Sequence, residues 1–503
     1  MQTTHRKRLK DRLYKRSLTT WLSASLLCMP LSATQAINNL PDLGAPDLVE
    51  YDRATEQQLG RAFTQALHTQ FDLINDPETL NYIRQMSYQI ASHSGQQREF
   101  SFYVINNDSI NAFAGPNGVI GIHTGLIAKV ETADELASVI AHEIAHVTQQ
   151  HLSRTYEYNS TQGTLNSFAT LIAAILVGMA NPNAGVATLM GGMGLNMEDQ
   201  LKNSREHEKE ADNVGIQILY ESGYDPHAMG AFFGKLAKES QFNALQVPEI
   251  LRTHPVTLNR LAAAESRAQV MPPFIIRNTP NDLTLIKLRI AALNKQLNQV
   301  ARKTLSADER CYLDNLQELG NTFHQTQLNS SAEKLKCLVN AAEKNMMQPL
   351  YSTLLVERLM QFSSRNAKNT LNEYVKTIKQ LIEYQQDIWP GNLAVRIRHA
   401  ELLNTLHQPE QAMQVLQQGL QQESNQFTLN NYLAQFADNA GKQALANYYQ
   451  AQAQLAIGNY SRALHFIEQA ERLNEQNKEG IAQQINYFKA QNQDKIRKPS
   501  KNN

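Results

Sequence analysis

No stretch of this 503-residue chain stays apolar for the roughly 20 residues that a membrane-spanning helix needs. Two segments come nearest. "LTTWLSASLLCMPLSATQA" (18–36) is interrupted by hydroxyl-bearing residues, and "FATLIAAILVGMA" (168–180) ends after 13 residues. An excess of positive charge is missing as well, since 47 Lys and Arg face 47 Asp and Glu. The balance is uneven only at the start, where Arg6, Lys7, Arg8, Lys10, Arg12, Lys15 and Arg16 stand against Asp11 alone, leaving 40 basic and 46 acidic residues beyond position 36. A basic leader on a mildly acidic body excludes a nucleic-acid binder, whose positive charge belongs to the folded surface. Glycine and proline are modest, at 23 and 16 residues, and 42% of the chain is hydrophobic, which excludes wholesale disorder. Cysteine is almost absent, with Cys28, Cys311 and Cys337 only.

The leader has the layout of a secretory signal peptide: a basic stretch, an apolar core, then small residues that place cleavage after Ala36. Leu27 before Cys28 argues against a lipid anchor, because a small residue is expected there. Export into an oxidising compartment leaves Cys311 and Cys337, which either pair or sit as buried thiols in a helical repeat. Beyond the signal peptide (1–36), three regions are expected: an enzyme-like domain over 37–275, a repeat domain over 280–490 and a disordered tail over 491–503.

In the first of these, "LVEYDRATEQQLGRAFTQAL" and "DPETLNYIRQMSYQIASHS" space their apolar residues by three and four, which predicts helices, the second opened by Asp76-Pro77-Glu78. "EFSFYVINND" (99–108) alternates and is aromatic-rich, so it reads as a strand, with a Pro-Asn-Gly turn at 116–118 and a second strand at 119–123. The Gly- and Met-rich segment 168–197 suits either a buried helix or a cover over a cleft. Past residue 280 glycine becomes scarce and helical patterns recur. "YYQAQAQLAIGNYSRALHFIEQAERL" (448–473) fits a tetratricopeptide repeat, "RIRHAELLNTLHQPEQAMQVLQQGL" (396–420) fits similarly, and 319–342 is a weaker copy. Their marker alanines, Ala412 and Ala463, lie 51 residues apart, one and a half periods of 34.

The chemistry lies in "ADELASVIAHEIAHV" (133–147). Residues four apart share a helix face, so His142 and His146 can present imidazole nitrogens to one metal ion. Glu143, one residue round, can reach a metal-activated water as general base. A third ligand is needed. The spacing that would supply a histidine at 152 and a glycine at 149 instead has Leu152 and Gln149. His151 lies about 140° from His146 on a continuous helix, which predicts a surface residue. "SREHEKEADNVGIQIL" (204–219) is the better source. Within its acidic cluster the pattern E-x-E-A-D selects Glu208 as metal ligand, and Asp212, on the same face, suits the acid that braces a histidine N–H.

"HEIAH" together with "EKEADNVG" resembles the zinc metallopeptidase family that includes HtpX and the CAAX prenyl proteases. "NAFAGPNGVIGIHTGLI" before the motif and "THPVTLNRL" after it match flanking blocks, and the resemblance covers about residues 50–270. It implies a mainly α protein, with a gluzincin-type α+β domain and small sheet followed by an α-helical tetratricopeptide solenoid. It further implies one zinc ion on His142, His146 and Glu208, Glu143 as catalytic base, and a peptide-binding edge over 118–123, including Gly118, Val119 and Ile120. His254 is expected to take the open zinc position and hold the enzyme shut, with Arg260 near the zinc and toward substrate. A signal peptide and repeat tail resemble a periplasmic branch devoted to quality control of outer-membrane β-barrel proteins, with those proteins, their assembly machinery and extended peptides as partners. No nucleic acid is implied, and attachment to the outer membrane is peripheral at most. A repeat-based chaperone or scaffold with a largely silent zinc site is the competing reading.

Overall fold

The computed structural model describes residues 52–96, 98–155, 197–242, 248–273, 282–320, 328–363, 368–420 and 426–496. The leader and nearly all of the 168–197 segment lie outside these residues. Among the described residues no helix is long and apolar enough to cross a membrane.

Helix α1 (Arg53–Gln70) is opened by Asp52, and α2 (Pro77–Ala91) by Asp76. The Asp76 carboxylate accepts from the Thr79 amide at 2.9 Å and the Thr79 hydroxyl at 2.7 Å. Pro77 fills the first helical position, where no amide donor is required. Three short strands follow: β1 (Ser101–Ile105), β2 (Ala112–Ala114) and β3 (Val119–His123). β3 lies between the other two, parallel to β1 and antiparallel to β2.

That order corrects the expectation of a peptide-binding edge over 118–123. Val119 and Ile120 are buried in the central strand, and Gly118 turns the chain into it. Gly118 has φ 71°, and a Cβ there would stand 2.2 Å from the Glu99 carbonyl oxygen, so only glycine fits. The edge strands are β1, bridged on its outer side by Leu73 at Ile105, and β2, which the sequence pattern did not show. The His123 amide donates to the Asn111 carbonyl and the Gly115 amide to the Val119 carbonyl. By antiparallel alternation, the main-chain groups of Ala112 and Ala114 therefore point away from β3.

After α3 (Thr124–Lys129) comes α4 (Ala133–Thr148). Thr132 accepts from the Glu135 amide at 3.1 Å, and the Glu135 carboxylate turns back to accept from the Glu131 amide at 2.6 Å, a close relative of the capping box. Almost every α4 side chain is buried. Helix α5 (Met197–Glu221) packs along it, and their backbones meet at Gly215. A Cβ there would lie 3.2 Å from the Ala141 carbonyl oxygen and from the His142 Cα. Glycine inside a helix costs about 0.5–1 kcal/mol relative to alanine, and here it permits the close approach that brings the α5 acids to His142. Helices α6 (His227–Phe242), α7 (Ile250–Thr253) and α8 (Leu258–Val270) complete this half.

The remainder is helical: α9 (Leu283–Leu293), α10 (Ala307–Gly320), α11 (Leu328–Lys344), α12 (Pro349–Ser363), α13 (Lys368–Ile388), α14 (Leu393–Thr405), α15 (Pro409–Leu420), α16 (Phe427–Asn439), α17 (Gln443–Ala456), α18 (Tyr460–Leu473), α19 (Ala482–Gln491) and α20 (Gln493–Ile496). Hairpins α14–α15 and α16–α17 begin 34 residues apart, at Leu393 and Phe427, and their second helices, at Pro409 and Gln443, repeat that spacing. The 51-residue interval between Ala412 and Ala463 arises because Ala412 is on the second helix of its hairpin and Ala463 on the helix that opens a later one. Both alanines are fully buried. Cys311 and Cys337 form a disulfide joining α10 to α11. The tail expected from 491 is ordered through Ile496, which is buried with Ile485 and Phe488.

The two halves share a buried ionic network. Arg289 on α9 binds Asp76, Glu78 and Glu357. Arg398 on α14 binds both oxygens of Glu78 at 2.7 and 2.8 Å, Glu357 at 2.7 Å and Glu401 at 2.8 Å. Burial raises Glu78, against the pull of both arginines. Asp76 is held low by Arg289, which overcomes its burial.

Candidate metal centre

The α4–α5 contact fixes the site. One turn of α4 carries His142 and His146 on one face, and α5 lays Glu208 and Asp212 against them. The His142 and His146 Nε2 atoms are 3.1 Å apart. Glu208 places Oε2 3.4 Å from His142 Nε2 and Oε1 3.4 Å from His146 Nε2. His254, the residue that ends α7, brings Nδ1 to 2.8 Å from Glu208 Oε1 and 3.4 Å from His142 Nε2. Donor atoms on a tetrahedral zinc with bonds of about 2.0–2.1 Å stand about 3.3 Å from one another. The four residues thus have both the chemistry and the spacing of a metal donor set, and all their donor atoms fall within 4.8 Å.

Electrostatics agree. Burial alone would lower His142, but Asp212 and Glu208 carry it up to about 10. Burial would likewise lower His254, whereas Glu208 and Glu143 raise it. Burial dominates at His146 and lowers it. Burial works to raise Glu208, yet His254 and hydrogen bonds from the other histidines hold it well below the usual carboxylate range. This is a negative pocket that favours cations. Glu143 is 0% exposed, and neither of its oxygens has a hydrogen-bond partner among the described residues. The nearest opposing group is His254 Nε2, at 3.6 Å. A buried carboxylate left in this state is costly, and a bound metal with its water would satisfy it.

Asp212 stands where a brace is expected, its Oδ1 3.1 Å from His142 Nδ1, so His142 turns Nε2 to the donor set. Arg260 is buried, and it donates from Nε and Nη2 to Asp212, each at 2.7 Å, and from Nη1 to the Pro255 carbonyl at 2.8 Å. The same Nη1 lies 2.9 Å from Glu208 Oε2, and Phe233 backs the guanidinium at 5.0 Å. Arg260 is therefore bound to both acids while it also lines the cavity beside His142 and His254. A cavity of about 20 Å³ opens beside His142 and His254, walled by Val139, Phe233 and Ile250.

His151 departs from the sequence reading, for it is 4% exposed. The helix does not continue through it. α4 ends at Thr148, and Gln150 adopts φ 55°. The helical turn 151–155 then starts in a new direction and aims His151 back at His146. Nothing in the spacing marks that break, so the sequence left this residue out.

The site thus combines a histidine pair with an intervening glutamate and a glutamate from a second helix, a group that could hold a metal ion. The family model described as peptidase family M48 matches residues 77–268. The chain is 36% identical over 299 residues to the Beta-barrel assembly-enhancing protease of Escherichia coli (strain K12), covering 58% of this chain and 61% of the relative. A Putative beta-barrel assembly-enhancing protease of Vibrio cholerae is 35% identical over 53% of this chain and 54% of its own length. The mitochondrial Metalloendopeptidase OMA1 of Bos taurus is 30% identical over 36% of this chain and 34% of its own. The matched region spans about three fifths of the length of the Escherichia coli relative.

Proposed function

We propose that the chain is a zinc metalloendopeptidase of the Gram-negative periplasm that degrades misassembled outer-membrane β-barrel proteins and supports assembly of competent ones. The observation that carries this reading is the convergence of His142, His146 and Glu208 beside Glu143, a fully buried carboxylate without a hydrogen-bond partner among the described residues. A zinc ion held by that donor set would supply Lewis acidity and bring the pKa of a water to about 7. Glu143 takes the proton of the attacking water and returns it to the leaving amine. Asp212 orients His142, and Arg260 neutralises Asp212 and Glu208, so the acids remain ionised in a buried place. An extended peptide adds to the outward groups of Ala112 and Ala114 on β2, with main-chain bonds supplying affinity for segments of varied sequence.

His254 closes the site. Its Nδ1 belongs to the donor set while its Nε2 faces Glu143, so one ring occupies the fourth position and stands before the base. Substrate must displace it. The relatives' designation as β-barrel assembly-enhancing proteases supports the substrate class, and the signal-like leader supports export. We assign the peptidase domain to 37–275 and read 280–490 as tetratricopeptide repeats. The 34-residue spacing of the hairpins supports that reading, and such repeats hold partner segments in extended concave surfaces.

The donor-set position of His254 also favours a second reading, a repeat-based chaperone whose zinc site stays shut. Glu143→Gln separates the two. The variant is expected to retain about one zinc per chain and to lose degradation of an unfolded barrel protein. Continued cleavage by metal-replete Glu143→Gln would overturn the peptidase mechanism.

A further inference from the structure

We propose that His151, set by Glu210, is the positioning residue that fixes the tautomer and direction of His146 toward the metal. This rests on the donor set described above and adds a chain of contacts behind it. His146 directs Nε2 into the donor set, 3.1 Å from His142 Nε2. Its other nitrogen, Nδ1, lies 2.8 Å from His151 Nδ1. Two ring nitrogens at that distance cannot both carry protons, and two lone pairs would repel, so one donates and the other accepts.

The far end of the chain decides which. His151 Nε2 is 3.1 Å from Glu210 Oε2, and the same oxygen receives Arg154 Nη2. A carboxylate paired with arginine accepts only. His151 therefore carries its proton on Nε2 and leaves the lone pair of Nδ1 free to accept. His146 must then hold its proton on Nδ1, which leaves the Nε2 lone pair for the metal. Reversing the chain would require either a proton on Glu210, against its ion pair with Arg154, or a second proton on the His151 ring, which is buried beside that same arginine.

Packing holds the middle member in plane. The His207 ring stacks on His151 with centroids 4.3 Å apart and planes 10° from parallel. The turn through Gln150 aims His151 inward. The two histidine ligands are thus braced differently: His142 directly by Asp212, and His146 by a carboxylate acting through a second imidazole.

The test uses the full chain, stripped of metal and titrated with zinc against a chromophoric chelator. Cobalt(II) absorption spectra report the geometry of the same site. His151→Phe keeps the ring and its stacking but removes the acceptor, and it is expected to weaken zinc binding about 10–100-fold and to change the cobalt spectrum. His151→Asn returns an acceptor oxygen near the place of Nδ1 and is expected to recover most of both. Glu210→Ala leaves the His151 ring in place and is expected to weaken zinc binding by about tenfold, which keeps the proposal testable if the Phe variant does not fold. Zinc affinity within twofold of the parent in His151→Phe, or in Glu210→Ala, would overturn the proposal, as would an Asn variant no better than Phe. A parent chain that binds no zinc would instead remove the donor-set reading itself, and the two failures are distinct.

Discussion

Arg398 offers the sharpest test of how the two halves are joined. Its guanidinium donates four hydrogen bonds to three carboxylates, the buried Glu78 and Glu401 and the half-buried Glu357. Replacing it with methionine preserves much of the apolar stem, leaves Asp76, Glu78 and Glu357 to Arg289 alone and takes from Glu401 its ion pair. Removing one partner of a buried ionic cluster costs about 3–5 kcal/mol, because the remaining charges stay out of water. Against total stabilities of about 5–15 kcal/mol for folded domains, that is a large share. The loss also carries a pH signature. Glu78 is already raised by burial and restrained by Arg289 and Arg398, so losing Arg398 raises it further. The folded variant then binds a proton that the unfolded chain, with an ordinary carboxylate, gives up at lower pH. Its stability deficit is therefore largest at neutral and alkaline pH and shrinks as pH falls toward the usual carboxylate range, by about 1.4 kcal/mol for each unit of added shift. Urea unfolding followed by circular dichroism at pH 7.5 and 5.5 measures both effects, and Arg398→Met with Glu78→Gln should recover part of the loss. A deficit under about 1 kcal/mol at pH 7.5, or one that does not narrow at pH 5.5, would show that Arg398 does not compensate the buried carboxylates.

Three further outcomes are expected. Asp212→Asn weakens the bond to His142 Nδ1 and the pairing with Arg260, and zinc affinity measured by chelator competition should fall about 10–100-fold; an unchanged affinity would count against the brace. His254→Ala leaves His142, His146 and Glu208 in place and should raise cleavage of an unfolded substrate several-fold without loss of bound zinc; slower cleavage would show that His254 serves the reaction rather than restraining it. The Cys311–Cys337 disulfide closes a separation of 26 residues, worth about 3 kcal/mol in chain entropy. Reductant should therefore lower the melting temperature of the parent and leave Cys311→Ser/Cys337→Ser unchanged, whereas equal responses would mean that the bond adds no stability.

His142, Glu143 and His146 were legible because i, i+4 spacing survives in any helix, and Glu208 with Asp212 for the same reason. The residues that escaped depend on where helices stop or meet. His151 became a brace through one left-handed residue, Gln150, that no periodicity announces. β2 is three residues of alanine and phenylalanine, too short for alternation to register, so nothing in the pattern opposed the edge that the resemblance implied over 118–123. Arg260 sat in a recognisable block, but its commitment to Asp212 and Glu208 depends on how α8 docks against α5. Arg289 and Arg398 are 109 positions apart and look like ordinary helix-surface charges until packing brings both to Glu78.

That meeting at Glu78 bears on how the protein can be taken apart. The family match begins at Pro77 and ends at residue 268, so it includes Glu78 and excludes both arginines that neutralise it. A fragment cut to those limits would keep the metal ligands and expose the seat of two missing guanidinium groups, with Glu78 in an apolar surface that no longer has a cover. The stretch matched by similarity therefore stops short of the charges that compensate Glu78, and a fragment that keeps them must run at least to Arg398 on α14.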